Sequence, residues 1–278
     1  MIFRLLLDLL FLYAALVVFV FFYQRRLQYH PDRNDPGAPK DSNVPEMAVI
    51  RLITADKLDI YAWFAPPKNR NGKVVVLFHG NAGNLAGRGI KARYFLDRGY
   101  GVLLSEYRGF GGNPGTPTEQ GLYKDGRAAL KWLEDKGYTS GQFVLYGESI
   151  GTGVAVQLAR EFQPPYLILE APFSSAVEIG KRSYPFLPVD YMMHDKYESI
   201  LKIGQVKTSL LIVHGDEDPT IPIESGKKLF EASNHPKEFC SIAGGHHSDL
   251  YEHHAGHIVV DWLDKQVAAE RTNAAASG

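Results

Sequence analysis

A serine lies at the centre of a short glycine-flanked motif, Gly147-Glu-Ser-Ile-Gly151. An apolar run that ends at Tyr146 precedes the motif, and a helical pattern over residues 152–162 follows it. This context predicts a sharp turn from strand to helix, which strains the serine backbone and lifts the hydroxyl above the sheet. A Cβ atom at position 147 or 151 would collide with the adjoining strand or helix, which accounts for both glycines. We therefore predict that Ser149 is a nucleophile.

A serine hydroxyl is a weak nucleophile, so it needs a neighbouring base, and the base needs an acid that orients it. The predicted acid is Asp218, because it follows the apolar run over residues 209–213 within His214-Gly-Asp-Glu-Asp218. Asp216 and Glu217 are the rivals, and we expect them in a turn with their carboxylates facing solvent.

The predicted base is His247, which lies in a glycine- and histidine-rich loop between a predicted strand near residues 239–242 and a final helix. The adjacent His246 is the alternative, since only one of the two side chains can face the serine. The chain order serine, aspartate, histidine is the one used by hydrolases whose nucleophile lies on a strand-to-helix turn.

A tetrahedral intermediate also needs two backbone N–H groups that stabilise its oxyanion. The N–H of Ile150 follows the nucleophile directly and is the first predicted donor. The second is the N–H of Asn81, in the loop His79-Gly-Asn-Ala-Gly-Asn84 after the apolar run over residues 73–78. The small residues of this loop allow its backbone to approach a substrate closely, although glycines here could also serve only a turn.

These residues must be positioned by alternating strands and helices. Short apolar runs predict buried strands, and amphipathic runs between them predict helices, so we expect an α/β fold with a mostly parallel sheet and helices on both faces. A hairpin of two strands is predicted at residues 47–53 and 58–64. The other predicted strands are 73–78, 101–105, 142–146, 166–169 and 209–213, and the predicted helices are 90–98, 119–136, 151–162 and 224–233.

One stretch, residues 173–204, interrupts this alternation. It is too long for a connection and too apolar for a free loop, which predicts a small lid over the active site. Its side chains either cover the edge of the sheet or line an apolar acyl pocket, for which Phe186 and Met192 are the candidate substrate-binding residues.

The N-terminus predicts a membrane anchor. Residues 5–23 are apolar apart from Asp8 and would span roughly 28 Å as a helix, close to the thickness of a hydrocarbon core. We assign residues 1–26 to a transmembrane anchor, 27–45 to a linker, 46–267 to the catalytic domain and 268–278 to a flexible tail. Arg25, Arg26 and Arg33 follow the span, which favours a cytoplasmic catalytic domain. A fragment from about residue 28 is predicted to be soluble and active.

Composition excludes several classes of function. The net charge of -1 provides no basic excess for nucleic-acid binding. The single cysteine, Cys240, excludes an intramolecular disulfide and is predicted to pack in the core. A histidine-rich stretch over residues 246–257 lacks the accompanying ligands of a zinc site, so we predict neither a metal nor a cofactor. The sequence predicts no oligomeric state.

The chain resembles the membrane-anchored α/β-hydrolases related to the yeast bud-emergence protein, whose animal relatives include protein depalmitoylases. The resemblance covers about residues 23–262, and in that family the histidine precedes a small polar residue and an aspartate, which favours His247. Two positions depart from the family pattern: Glu148, where several relatives have a basic residue, and Glu106, where an aspartate is usual. The matching stretches are His79–Asn84, Tyr107–Gly111, Gly147–Gly151, Glu170–Ser174, Pro185–Pro188, His214–Asp218 and His247–Asp249.

The residues and the resemblance together predict a serine hydrolase that cleaves an acyl ester or thioester through an acyl-enzyme. The predicted substrates are small molecules, lipids or acylated proteins presented at a membrane. A serine peptidase of the same fold would use the same three residues and is one alternative. A membrane-tethered binding protein that no longer turns over substrate is the other.

Overall fold

The computed structural model describes residues 1–69 and 72–277, and within them it contains eight α-helices and ten β-strands. The helices are α1 (Ile2–Gln28), α2 (Gly89–Asp97), α3 (Glu119–Asp135), α4 (Ile150–Phe162), α5 (Ala176–Ser183), α6 (Val189–Met192), α7 (Ile223–Glu231) and α8 (Ala255–Ser277). The strands are β1 (His30–Pro31), β2 (Ala48–Ile53), β3 (Asp59–Ala65), β4 (Val74–Phe78), β5 (Ala82–Gly83), β6 (Gly101–Ser105), β7 (Phe143–Glu148), β8 (Tyr166–Glu170), β9 (Ser209–Gly215) and β10 (Lys237–Ile242).

Eight of these strands form one sheet in the order β10-β9-β8-β7-β4-β6-β3-β2. The hairpin of β2 and β3 is antiparallel and joins β6 in antiparallel orientation, whereas the remaining pairs are parallel. The predicted hairpin and the mostly parallel sheet are therefore confirmed. The carboxyl ends of β4, β7 and β9 meet along one edge of the sheet, which is where the predicted chemistry begins.

Two hydrophobic cores cover the two faces of this sheet. Side chains alternate across a strand, so in β4 Val74, Val76 and Phe78 face one core, whereas Val75 and Leu77 face the other. Helices α3 and α4 pack on the first face, and α2 and α8 on the second. Because every residue of β4 is buried, its sequence is a continuous apolar run without polar alternation.

Helix α1 leaves the domain at the N-terminus, and none of its residues is fully buried. Within the described residues it is the one helix long and apolar enough to cross a membrane. Its length of 27 residues corresponds to roughly 40 Å, which exceeds a hydrocarbon core of about 30 Å.

The segment after α1 lies against the domain. β1 pairs in parallel with β5, and Tyr29 and Val44 are buried. Residues 27–45 were predicted to be a linker, and these contacts place parts of that segment against the catalytic domain. The segment from residue 268 also differs from the predicted flexible tail, because α8 continues through it to Ser277.

Residues 173–204 lie between β8 and β9 and are named here the α5–α6 segment. Leu187, Val189 and Met192 form a small buried cluster, against which Val17 and Val20 of α1 pack. The apolar residues that interrupt the strand–helix alternation are therefore covered partly by the N-terminal helix.

Candidate active site

Ser149 lies in a sharp turn between β7 and α4. Its backbone has φ 52° and ψ -119°, a region that residues other than glycine rarely occupy. A Cβ atom at Gly151 would lie 2.0 Å from the carbonyl oxygen of Phe78, and one at Gly147 would lie 2.6 Å from the Gly151 oxygen. Both glycines are therefore required by the close approach of backbone to backbone at this turn.

The structure brings Ser149, His247 and Asp218 into one hydrogen-bonded chain. The Nε2 atom of His247 lies 2.9 Å from Ser149 Oγ, and its Nδ1 atom lies 2.7 Å from Asp218 Oδ2. These distances connect the hydroxyl to the carboxylate through one imidazole. The arrangement can transfer the hydroxyl proton to the imidazole while the carboxylate stabilises the resulting charge.

Asp218 is held in place by the loop after β9. Its Oδ1 atom accepts hydrogen bonds from the N–H groups of Thr220 and Ile221, at 2.8 and 2.9 Å. Burial raises the pKa of the Asp218 carboxyl, but the neighbouring His214 and the hydrogen-bonded His247 outweigh burial and lower it below its ordinary range. The carboxylate is therefore ionised at neutral pH and free to orient His247.

The rival residues lie elsewhere. His246 is exposed, and its Nδ1 atom lies 3.1 Å from Asp249 Oδ2. Asp216 accepts a hydrogen bond from the N–H of Gly244, and Glu217 faces solvent. The two ring nitrogens of His247 are hydrogen-bonded to Asp218 and Ser149 instead of to either of these acids.

The two predicted oxyanion donors flank Ser149. Ile150 is the first residue of α4, and the first N–H groups of a helix have no partner within it. Asn81 follows Gly80, where a Cβ atom would lie 3.4 Å from the Cβ of Ser149, so this loop passes directly beside the nucleophile. Both Ile150 and Asn81 line the cavity that contains Ser149 and His247.

A buried pair that the sequence did not connect to the site holds the Asn81 loop. His79 Nε2 lies 2.6 Å from Glu106 Oε1, and the second carboxylate oxygen accepts a hydrogen bond from the N–H of Leu85. The longer glutamate at position 106, noted above as a departure from the family pattern, thus spans both ends of the loop. It fixes the backbone that carries the Asn81 N–H.

Glu148 takes part in a charge network beneath the turn. It lies 2.9 Å from Lys91 Nζ and 3.3 Å from the guanidinium of Arg88, and Lys91 also contacts Glu170. Burial raises the pKa of Glu148, but the positive charges of Lys91 and Arg88 outweigh burial and lower it below the ordinary value. The acidic residue before the nucleophile is therefore neutralised locally.

A cavity of about 440 Å³ opens beside Ser149, within the range of roughly 300–1,000 Å³ for small-molecule sites. Its lining is mostly apolar, and among the described residues that line it there is no Asp, Glu, Lys or Arg. The lining residues are Val20, Gln24, Leu27, Gln28, Asn81, Ser149, Ile150, Phe173, Ala176, Ile179, Gly180, Ser183, Tyr184, Leu187, Val189, Met192, Met193, Thr220, Ile221 and His247.

The two candidate substrate-binding residues of the α5–α6 segment have different positions. Met192 is buried and lines the cavity. Phe186 does not line the cavity and is 59% exposed. The prediction for Phe186 is therefore corrected in favour of its neighbour Leu187, because the Tyr184–Val189 stretch turns the phenylalanine outward and the leucine inward.

Sequence reasoning missed the contribution of α1 to the site. Four of its residues line the cavity, and the carbonyl of Gln28 accepts a hydrogen bond from the Asn81 side chain at 3.0 Å. The N–H of His30 donates to the Asn81 carbonyl at 2.8 Å. The signal was present as a helical stripe at positions 20, 24, 27 and 28, but the surrounding apolar residues of the membrane-length run obscured it.

Residues 73–197 match the family described as alpha/beta hydrolase fold. A protein of Mycobacterium tuberculosis, Rv2307c, is 35% identical over 238 residues, which cover 85% of this chain and 84% of that protein. The chain belongs to the α/β-hydrolase family. The predicted fold class is thereby confirmed, whereas the narrower resemblance to the bud-emergence protein stays a prediction.

Other α/β-hydrolases extend this comparison. The lysophosphatidylserine lipase ABHD12 of Gallus gallus is 31% identical over 198 residues, which cover 64% of this chain and 51% of the lipase, so the chain spans about half of that relative. The solved structure of the Pyrococcus furiosus esterase Pf2001 covers 85% of this chain and 98% of its own, with a TM-score of 0.69 and 20% identity. That structure shows the fold alone. The family and its lipase member support a hydrolase.

Proposed function

We propose that this α/β-hydrolase is a membrane-anchored serine hydrolase that cleaves acyl esters or thioesters. The observation that carries the proposal is the hydrogen-bonded chain from Ser149 through His247 to Asp218, at a strained turn that opens into an apolar cavity. Helix α1 is the proposed anchor, and the arginines after it favour a cytoplasmic position for the catalytic domain.

The proposed reaction begins when Ser149 Oγ attacks the substrate carbonyl carbon and His247 Nε2 takes the hydroxyl proton. The N–H groups of Ile150 and Asn81 donate hydrogen bonds to the oxyanion of the tetrahedral intermediate. The intermediate collapses as the C–O or C–S bond breaks, and the leaving group takes the proton from His247. Water, deprotonated by His247, then attacks the acyl-enzyme and releases a carboxylic acid and free Ser149.

The cavity supports a substrate with an apolar acyl group. Leu187, Met192 and Ile221 offer only hydrocarbon or thioether surface, and each buried methylene contributes about 0.8 kcal/mol. A relative named as a lysophosphatidylserine lipase agrees with an acyl ester as the substrate. Esters and thioesters are favoured over amides because their leaving groups need less protonation by His247.

The first test is labelling of the full-length protein in detergent with a fluorophosphonate probe. Wild type is expected to be labelled. Ser149→Ala is expected to lose labelling but to keep the unfolding temperature of wild type, which shows that it is still folded. Ser241→Ala changes an exposed serine of β10 and serves as the matched control, which should be labelled fully.

Full labelling of Ser149→Ala would contradict the nucleophile assignment. Wild type is then offered panels of esters, thioesters and peptides. Cleavage of peptides alone would favour the peptidase alternative, and wild type with neither labelling nor turnover would favour the binding-protein alternative.

A further inference from the structure

Helix α1 and the α5–α6 segment are joined along about three helical turns. Near the N-terminal end of this contact, the Tyr13 hydroxyl donates to the carbonyl of Phe186 at 2.9 Å. Farther along, the Gln24 amide donates to the Met192 carbonyl at 2.9 Å and accepts from the N–H of His194 at 2.8 Å. These bonds fix the α5–α6 segment to one face of the proposed anchor.

The same face of α1 is also part of the cavity wall. Positions 17, 20, 24, 27 and 28 follow the spacing of one helix face. Val17 and Val20 pack against the buried cluster of the α5–α6 segment, and Val20, Gln24, Leu27 and Gln28 line the cavity. A helix that only anchored the domain would have no reason to present one stripe to the active site.

The cavity extends along α1 into the apolar run that could span a membrane. At 1.5 Å per residue, Val20 lies roughly 12 Å from Gln28, whose carbonyl bonds the Asn81 loop. The apolar run ends at Tyr23, so Val20 lies on the hydrocarbon side of that boundary, whereas the Asn81 loop lies beyond it on the domain side. One end of the cavity thus lies at Ser149, and the other lies at Val20, within the part of α1 that would be surrounded by the acyl chains of a bilayer.

Exposed aromatic side chains of the α5–α6 segment support this placement. Phe186 is 59% exposed and Tyr191 is 91% exposed, and both belong to the segment that packs on α1. Aromatic residues are enriched where a protein meets the membrane interface. A lipid layer around α1 would cover side chains that are otherwise left in water.

We propose that α1 is a wall of the acyl-binding pocket and determines chain-length specificity, with the acyl chain supplied by a lipid of the surrounding bilayer. This rests on the proposed hydrolase function. The chain lies between α1 and the α5–α6 segment, and the ester carbonyl reaches Ser149. The anchor helix therefore has two roles, attachment to the membrane and recognition of the acyl chain.

The test compares two valine-to-tryptophan variants of the full-length protein in detergent. Val20→Trp places an indole in the cavity, whereas Val18 is 55% exposed and does not line it, so Val18→Trp is the matched control. The readout is kcat/KM for p-nitrophenyl palmitate divided by kcat/KM for p-nitrophenyl acetate. Displacing two or more methylenes should lower this ratio at least about tenfold in Val20→Trp and leave it unchanged in Val18→Trp.

Equal ratios in the two variants, with both still labelled by fluorophosphonate, would overturn the role of α1 while leaving the hydrolase function intact. A second variant, Leu27→Ala, adds no bulk to the cavity. Its palmitate-to-acetate ratio of kcat/KM should fall several-fold because apolar contact is lost. An unchanged ratio in Leu27→Ala would also contradict the proposal. Wild type without labelling would instead remove the proposed function.

The source of the chain is tested with a palmitoyl lysophospholipid in phosphatidylcholine vesicles that contain the protein, beside an S-palmitoyl peptide. We expect wild type to cleave the lysophospholipid. The rate of this cleavage should be lower in Val20→Trp and unchanged in Val18→Trp. Cleavage of the peptide alone would overturn the lipid source.

Discussion

Two adjacent histidines show how the site depends on single positions. His247 faces the cavity and bonds both Ser149 and Asp218, whereas the side chain of His246 is 52% exposed and pairs with Asp249. The Cα atoms are neighbours, but successive side chains in this loop point in different directions. His247, which precedes Ser248 and Asp249, is therefore the histidine within reach of Ser149.

We expect His247→Ala to lower kcat by several orders of magnitude, because the hydroxyl proton of Ser149 then has no acceptor. His246→Ala removes only an exposed hydrogen-bond contact with Asp249, so kcat should change less than about threefold. Steady-state kinetics on a p-nitrophenyl ester measure both variants in the full-length protein. If His246→Ala lowered kcat more than His247→Ala, the base would be His246 instead of His247.

At the scale of elements, the junction of β7 and α4 sets the position of the nucleophile. Gly151 lies against the backbone carbonyls of Phe78 and His79 at the end of β4. The same β4 end carries the Asn81 loop, so one close contact fixes the distance between nucleophile and oxyanion donor. The buried pair of His79 and Glu106 holds the other side of this loop.

Gly151→Ala is expected to lower the free energy of unfolding by more than about 3 kcal/mol, because the added methyl would lie 2.0 Å from the Phe78 oxygen and the backbone must move. Gly87→Ala is the matched control, since a Cβ there meets no atom within 4 Å. In detergent, the unfolding temperature of Gly151→Ala should be much lower than that of wild type, whereas that of Gly87→Ala should be almost unchanged. Equal unfolding temperatures would mean that the β4–α4 contact is looser than described.

At the scale of the whole molecule, α1 forms part of the wall of the cavity that contains Ser149. The sequence predicted that a fragment lacking residues 1–26 would be soluble and active, because no residue of the Ser-His-Asp set or of the sheet lies there. The structure shows that this deletion also removes Val20 and Gln24 from the cavity and uncovers Leu187 and Met192. Membrane attachment and acyl-chain binding should therefore be lost together.

We expect full-length protein to stay in the membrane pellet after alkaline carbonate washing, and the form lacking residues 1–26 to be recovered in the supernatant. The truncated form should still be labelled by fluorophosphonate, but its palmitate-to-acetate ratio of kcat/KM should fall at least about tenfold. If the truncated form had the same palmitate-to-acetate ratio as the full-length protein, α1 would serve only as an anchor. Full-length protein in the carbonate supernatant would contradict a spanning helix.

The sequence alone determined the residues at the strand ends. Apolar runs identify β4, β7 and β9, and parallel strands align their carboxyl ends at one edge of the sheet, so Asn81, Ser149 and Asp218 are predicted neighbours before any coordinates are known. The sequence alone supports these inferences because they depend on local patterns and on the regular geometry of a parallel sheet.

Tertiary structure alone decided which side chains surround the substrate. Phe186 and Leu187 are apolar neighbours, but Leu187 lines the cavity and belongs to the cluster against which Val17 and Val20 pack, whereas Phe186 is 59% exposed. A membrane-length apolar helix carries little periodicity that marks its contact face, so the sequence could not show that Val20 and Leu27 meet the α5–α6 segment. Contacts between residues more than 150 positions apart depend on how elements pack, and a local pattern does not identify the element on the other side of the contact.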